Sequence, residues 1–446
     1  MPETARRWLV VAGCFMSVLT GPVLVASTFS IFFATLLQSE HWSRVGIAFA
    51  YSLYIVIYGL SGPVVGRWCE RFGPKRVVLG GAALIAGGFA LLGLTREVWQ
   101  FCVLYGLLGV TARMTGIVPL ATLVFRWFAS NRGLAIGVAS SGTLGGLFLS
   151  PLAYFLIEQL GWRRAYAVLG IGAGLLLFAT ILATVGDTPE GTARERASAQ
   201  SGEAEETRPK SAARDYTSSD LTLREAMGTP PFWLLTASGF LFLSALTGIL
   251  AHAVPLALDR GLARSLAALS LGMIVGVGPA GRVGLGYMAD RYPARKILVW
   301  SFILQGLAIL LLLRGAGAAL FWAFVILFAV AHGGALAVAP LVLNDLFGST
   351  YLGSLVGAYW LMATGGFVSW ACAGQRPQKR RGYILSGLSG VRRIIILCRA
   401  PGRHDSRAEI PDDAPLTVSS HGRDRARLTP DFPRLRSQIH CAGNPI

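Results

Sequence analysis

Charge is scarce in this chain. Of its 446 residues only 14% are Asp, Glu, Lys or Arg, and 23 are acidic. A water-soluble domain carries about 25% charged residues, so the deficit excludes an ordinary soluble globule. Cysteine is sparse too. Cys14, Cys69, Cys102, Cys372, Cys398 and Cys441 stand far apart with no C-x-x-C or Cys/His spacing, so neither a metal site nor a disulfide framework is implied. The sequence does not gather His, Asp and Glu, nor set a nucleophile beside a base, as a membrane-embedded enzyme requires. No catalytic residue, metal or cofactor is expected.

What remains is apolar. Hydrophobic residues make up 53% of the chain, and the mean hydropathy is +0.56. Crossing a bilayer takes about 20 such residues in a row. Eleven runs qualify: residues 8–37, 45–65, 76–94, 98–125, 133–157, 165–185, 232–258, 266–288, 297–313, 318–343 and 351–370. The first follows Arg6-Arg7, as a secretory signal would. It is too long for a signal core and more spans follow, so it reads as a retained helix. The fold class is an all-α membrane protein with the lipid bilayer as its partner.

The formal net charge of +17 would point to nucleic acid in a soluble protein. Here it is distributed otherwise. Residues 371–446 hold 14 Lys and Arg against 6 Asp and Glu. Other basic residues collect in one set of loops: Arg67, Arg71, Lys75 and Arg76, then Arg126 and Arg132, then Arg291, Arg295 and Lys296. These loops share a side with Arg6-Arg7, and such an excess marks the cytoplasmic face, N-terminus included. No nucleic-acid partner is expected. Between residues 186 and 231 the apolar pattern stops. Residues 192–217, rich in Ala, Ser, Glu, Arg and Lys, read as a solvated linker. Asp220 is placed to cap a short amphipathic turn at 221–227.

One loop is written twice. Gly66-Arg67-Trp68-Cys69-Glu70-Arg71-Phe72-Gly73-Pro74-Lys75-Arg76 recurs as Gly286-Tyr287-Met288-Ala289-Asp290-Arg291-Tyr292-Pro293-Ala294-Arg295-Lys296. Asp290 follows Glu70 by 220 residues, about half the chain, which means two homologous halves rather than small repeats. Gly133, Gly137, Gly145 and Gly146 recur at the same offset as Gly353, Gly357, Gly365 and Gly366. An acid with basic neighbours at a helix end can latch one half to the other and release it. A single copy would only satisfy the positive-inside bias; two copies at corresponding places point to the latch. The repeat then fails. The sixth run should recur at 385–405, but that window holds Arg392, Arg393, Arg399 and Arg403, each costing roughly 2.5–3.5 kcal/mol at a helix centre. The expectation is eleven of twelve helices in two pseudo-symmetric bundles, 1–185 and 232–370, joined by a linker at 186–231. The basic tail, 371–446, then reads as a frameshifted or misassigned end, with a genuine basic tail as the alternative.

Charge inside a span is costly and marks function. Arg113 falls near the middle of the fourth run. Arg282 lies eight residues before Asp290, about 12 Å of helix inside the loop end. A guanidinium fork suits a carboxylate. The alternatives are a pairing of Arg113 with backbone carbonyls and a structural link from Arg282 to the Asp290 network. His252 and His332 titrate near neutral pH and can carry a proton, or serve as packed histidines. His332 maps to Ala112, beside Arg113. Gly276-Val277-Gly278-Pro279-Ala280-Gly281 matches a dinucleotide fingerprint but lies inside a span with no following acid, so close helix packing is the better reading.

The duplicated loops resemble the signature of the major facilitator superfamily, with Pro293 where the family has Gly. The stretch Trp127-Phe128-Ala129-Ser130-Asn131-Arg132-Gly133-Leu134-Ala135-Ile136-Gly137-Val138-Ala139-Ser140-Ser141-Gly142 is similar to the helix four-to-five motif of the monocarboxylate porters and the oxalate/formate antiporters. Trp42-Ser43-Arg44, Gly161-Trp162-Arg163 and Thr229 to Trp233 support it. The resemblance covers residues 7–370. It implies the major facilitator fold, and it places Arg282 on the pore-facing arginine that binds the substrate carboxylate. The chain departs from the porters in having no Lys, Asp or Glu at 8–37, and Gly278 where an acid stands one turn before the arginine. Unlike the oxalate antiporters, it has no lysine at 351–370. The expected function is a secondary active transporter of a small organic anion, with protons as candidate coupling partners, in the inner membrane of a bacterium. A non-transporting membrane sensor or a truncated relic is the alternative.

Overall fold

The computed structural model describes residues 3–40, 42–186, 220–312 and 317–374; the linker core and the basic tail, with the readings attached to them, lie outside the described residues. Among the described residues every regular element is helical. Eight helices are long and apolar enough to cross a membrane, and the pair Arg44–Leu60 and Gly62–Phe72 makes a ninth span. That pair bends by 47° where Gly62-Pro63 interrupts the ladder. The helix Arg132–Thr184 is two spans in one. Gly161, at φ 75°, breaks it, and a positive φ is open to glycine at little cost. Gly142 lies against Phe15 and Leu19, Ser150 bonds to Ser27, Trp162 bonds to Glu40, and Gly13 lies against Thr184. The chain therefore runs along span one and returns antiparallel. With Leu352–Gly374 the count is eleven spans, in the order the hydropathy pattern predicts.

Span one is also interrupted. Pro22 would leave the carbonyl of the preceding turn without a donor, and the helix widens to a π-turn over Leu19–Val23. Gly21 there packs on Thr115, and Ser17 Oγ donates to the Thr115 carbonyl at 2.7 Å.

The two halves meet in two crossings related by the 220-residue offset. In one, Gly66 and Gly62 of span two lie on Gly353 and Gly357 of span eleven. In the other, Gly133 and Gly137 of span five lie on Gly286 and Arg282 of span eight. A Cβ at any of these glycines would strike a backbone carbonyl of the partner helix. Small residues are what permit such approach in a membrane, where packing rather than hydrophobicity joins helices.

Each crossing ends in a carboxylate on a helix N-terminus. Glu70 accepts from the Ser354 N–H at 2.7 Å and from the Ser354 hydroxyl at 2.8 Å. Asp290 accepts from the Gly133 and Leu134 N–H groups at 2.7 and 2.8 Å. Leu134 and Ser354 are again 220 apart. The first N–H groups of a helix have no internal partner, and the helix dipole adds positive charge there. The duplicated acids are thus caps supplied by the opposite half. Arg71 and Arg291 instead lie over the rings of Phe72 and Tyr287. The first loop turns at Gly73, φ 84°; the second reaches the same turn through extended Tyr292 and Pro293, which explains how Pro293 is tolerated.

The linker re-enters at Asp220. Its carboxylate accepts from the Ser349 N–H at 3.0 Å and from the Thr350 hydroxyl. This corrects the reading of Asp220 as a cap of the next turn. Thr222 caps Leu223–Met227 in a capping box with Glu225, and the Thr222 N–H and hydroxyl hold the Glu225 carboxyl below its usual range. At the opposite end of the molecule Glu40 accepts from Arg163 at 3.1 Å, and Arg163 donates to the Gly93 and Thr95 carbonyls. In the second half Arg260, which stands where Glu40 stands in the first, donates directly to the Leu312 carbonyl at 2.9 Å.

A charged cap at a helix N-terminus contributes about 1–2 kcal/mol. Glu70→Gln with Asp290→Asn is expected to shift the closed loop end toward an open one by about 30- to 1000-fold. Spin labels at Ser130→Cys and Tyr292→Cys should then show a second, longer distance; an unchanged distribution contradicts the latch.

Candidate functional site

Arg282 is the buried charge at the crossing of spans five and eight, 7% exposed. Its Nη1 donates to the Ser140 carbonyl and to Thr143 Oγ1, the latter at 2.7 Å. Ser140 is the residue where span five changes from α-helix, Arg132–Ser140, to a tighter 3₁₀ stretch, Ser141–Gly145. Both acceptors are neutral. The Nε–H is buried with no acceptor at all. A cation held in this way has dipoles around it and no counter-charge, which is expensive in an apolar interior.

His332 of span ten lies beside it. The ring stacks between Phe242 and Phe328, with centroids 5.8 and 6.4 Å away, and feels the Arg282 charge. Its Nδ1 is buried without a partner. Between the two, Gly278 packs on Gly333 and Gly281 on Val330. The glycine run that mimics a nucleotide fingerprint is a helix-packing surface.

Arg113 belongs to the other half. It is 1% exposed, its Nε donates to the Tyr58 carbonyl at 2.9 Å, and its guanidinium carbon is 3.6 Å from the Tyr58 ring centroid. Arg113 does bond to a backbone carbonyl, as the alternative reading has it, and a cation over a ring is a favourable pairing. Its Nη2 is nevertheless buried and unpartnered. His252 stands exposed on span seven. The structure thus brings Arg282 and His332 together and holds Arg113 against span two, so His332 shares surroundings with Arg282.

Several contributors escape a reading of the sequence. Ser140 acts through its carbonyl, and Thr143 is embedded in a glycine-rich run. The stripe Tyr51, Tyr54 and Tyr58 on span two, with successive centroids 5.6 and 6.0 Å apart, shows helical spacing that would have flagged it. Of the latch residues, Glu70, Asp290, Gly66 and Gly286 make the contacts between halves. Arg76 lines a shallow cavity of about 300 Å³ with Trp68 and Phe72. Arg295 and Lys296 line another of about 330 Å³ with Trp300. Both lie at the loop end beside exposed aromatic residues and contain none of the candidate binding residues. Lys75 is half-buried.

The sequence profile described as Major Facilitator Superfamily matches residues 9–371. The oxalate:formate antiporter of Oxalobacter formigenes is 25% identical over 80% of this chain and 81% of its own. Monocarboxylate transporter 12-B of Danio rerio is 25% identical over 81% and 79%. Among solved structures the Escherichia coli fucose:proton symporter FucP superposes with a TM-score of 0.58 at 14% identity, over 82% of this chain and 91% of that one. With eleven apolar spans, a 220-residue repeat and paired acid caps at the joint of its halves, this multi-pass membrane protein belongs to the Major Facilitator Superfamily.

Proposed function

We propose that the chain is a secondary active transporter that moves a small, monocarboxylate-like organic anion by alternating access. The observation that carries the reading is Arg282: a buried guanidinium between the halves, bonded only to neutral groups, with Nε lacking an acceptor. A carboxylate supplies the missing counter-charge and the missing acceptor at once. Arg113, whose Nη2 is also unpartnered, is the second candidate contact for the anion, in the other half. His252 and His332 are the candidate carriers of an accompanying proton. The likeness to an oxalate:formate antiporter and a monocarboxylate transporter supports the substrate class.

The bundles are 1–185 and 232–370, with the linker 186–231 between them. The basic loop end faces the cytoplasm with the N-terminus, as the positive-inside rule orients it, and the membrane is a bacterial inner membrane. The Glu70 and Asp290 caps then keep the cytoplasmic side shut while the site opens outward; rocking of the halves breaks both caps together.

Losing a hydrogen-bonded charge pair costs about 1.5–3 kcal/mol. In proteoliposomes, Arg282→Ala is therefore expected to lower the uptake efficiency of labelled oxalate, formate or L-lactate by about 10- to 150-fold. Uptake at the unaltered rate removes the claim.

A further inference from the structure

We infer that Thr143 is a positioning residue that turns Arg282 so that the anion is received on its Nε–Nη2 edge. The inference rests on the proposed role of Arg282. A guanidinium offers a carboxylate two edges with parallel N–H groups: the end, Nη1 with Nη2, and the side, Nε with Nη2. In Arg282 the end is committed, because Nη1 already donates to Ser140 and Thr143. A carboxylate arriving there would have to displace both. The side edge is available. Its Nε–H is buried and unpartnered, a state that costs about 1–3 kcal/mol and that an arriving oxygen relieves.

The backbone of span five explains why Thr143 has this role. Ser140 and Thr143 are three residues apart at the start of the 3₁₀ stretch, and in 3₁₀ winding residues i and i+3 lie one above the other. The Ser140 carbonyl and the Thr143 hydroxyl therefore face Arg282 side by side. One acceptor alone leaves the planar group free to swing about that bond; two acceptors on the same nitrogen set its plane. Because the carbonyl remains in any variant, Thr143 is the half of this pair that mutation can remove.

The test uses the full-length protein in proteoliposomes, with uptake of radiolabelled oxalate, formate and L-lactate, and thermal stabilisation of the purified protein by the same three anions. Thr143→Val is expected to raise KM about tenfold, the effect of losing one hydrogen bond to a charged group. Maximal rate should stay within about twofold. Thr143→Ser should restore KM, since the hydroxyl returns. Arg282→Lys should lose transport even with Thr143 in place, because an ammonium has no side edge. A wild-type KM in Thr143→Val, a fall in maximal rate alone, or no rescue by serine would overturn the inference. If Arg282→Ala fails while Thr143→Val is unaffected, only the positioning role falls. If Arg282→Ala transports normally, or the wild type neither transports nor is stabilised by any of the anions, the reading of Arg282 falls and the inference with it.

Discussion

Backbone-to-backbone contact between the halves is the constraint on which the rest depends. At Gly62 and Gly66 on Gly357 and Gly353, and at Gly133 and Gly137 on Gly286 and Arg282, helices touch with no side chain between them. Only at that separation can the Glu70 and Asp290 carboxylates reach the first N–H groups of the opposing helix, and only then can Arg282 reach across to Ser140 and Thr143. The caps are polar and exposed enough to be exchanged for water, while the glycine contacts are dry. The joint therefore combines a shape that fits only when closed with bonds that are cheap to trade.

The symmetry of the joint makes the asymmetry of the site visible. By the 220-residue offset Arg282 corresponds to Gly62 and Arg113 to Gly333. In each half a residue of the fourth span of that half leans on a carbonyl of its second span. In the first half this is Arg113 on Tyr58; in the second it is Gly333 on Gly278. The same backbone relation is held open by a guanidinium and a phenol ring in one bundle and collapsed onto glycine in the other. The second bundle then offers a histidine, His332, stacked between two phenyl rings close by. Duplication provided the frame, and departures from it provide the chemistry.

Much of the frame is legible in the sequence, because it rests on terms that act locally. Apolar length gives the spans, the basic loops give their common side, and the repeated motif gives the pairing of halves. Arg282 and Arg113 stand out because charge in an apolar run is rare. Their surroundings do not. Ser140 accepts through a carbonyl, which every residue possesses, and Thr143 contributes a hydroxyl whose partner is 139 residues away. Asp220 shows the same limit from the other side. Local spacing makes it a helix cap, but the loop before span eleven competes for its carboxylate and wins, leaving the cap to Thr222. Tertiary partners decide what a polar side chain does, and a linear pattern does not contain them.

The replacement of Glu40 by Arg260 in the second half has a consequence for the end of the molecule away from the duplicated loops. In the first half, the carbonyls at the end of span three are closed by Arg163 of span six, held in place by Glu40 of span one. Three helices must cooperate. In the second half, Arg260 of span seven reaches the end of span nine unaided. Among the described residues two helices bridge this edge, and Arg260 Nη1 stays buried without a partner. The two halves therefore close this end of the molecule unequally, one through a clasp shared by three helices and one through a single arginine-to-carbonyl bond.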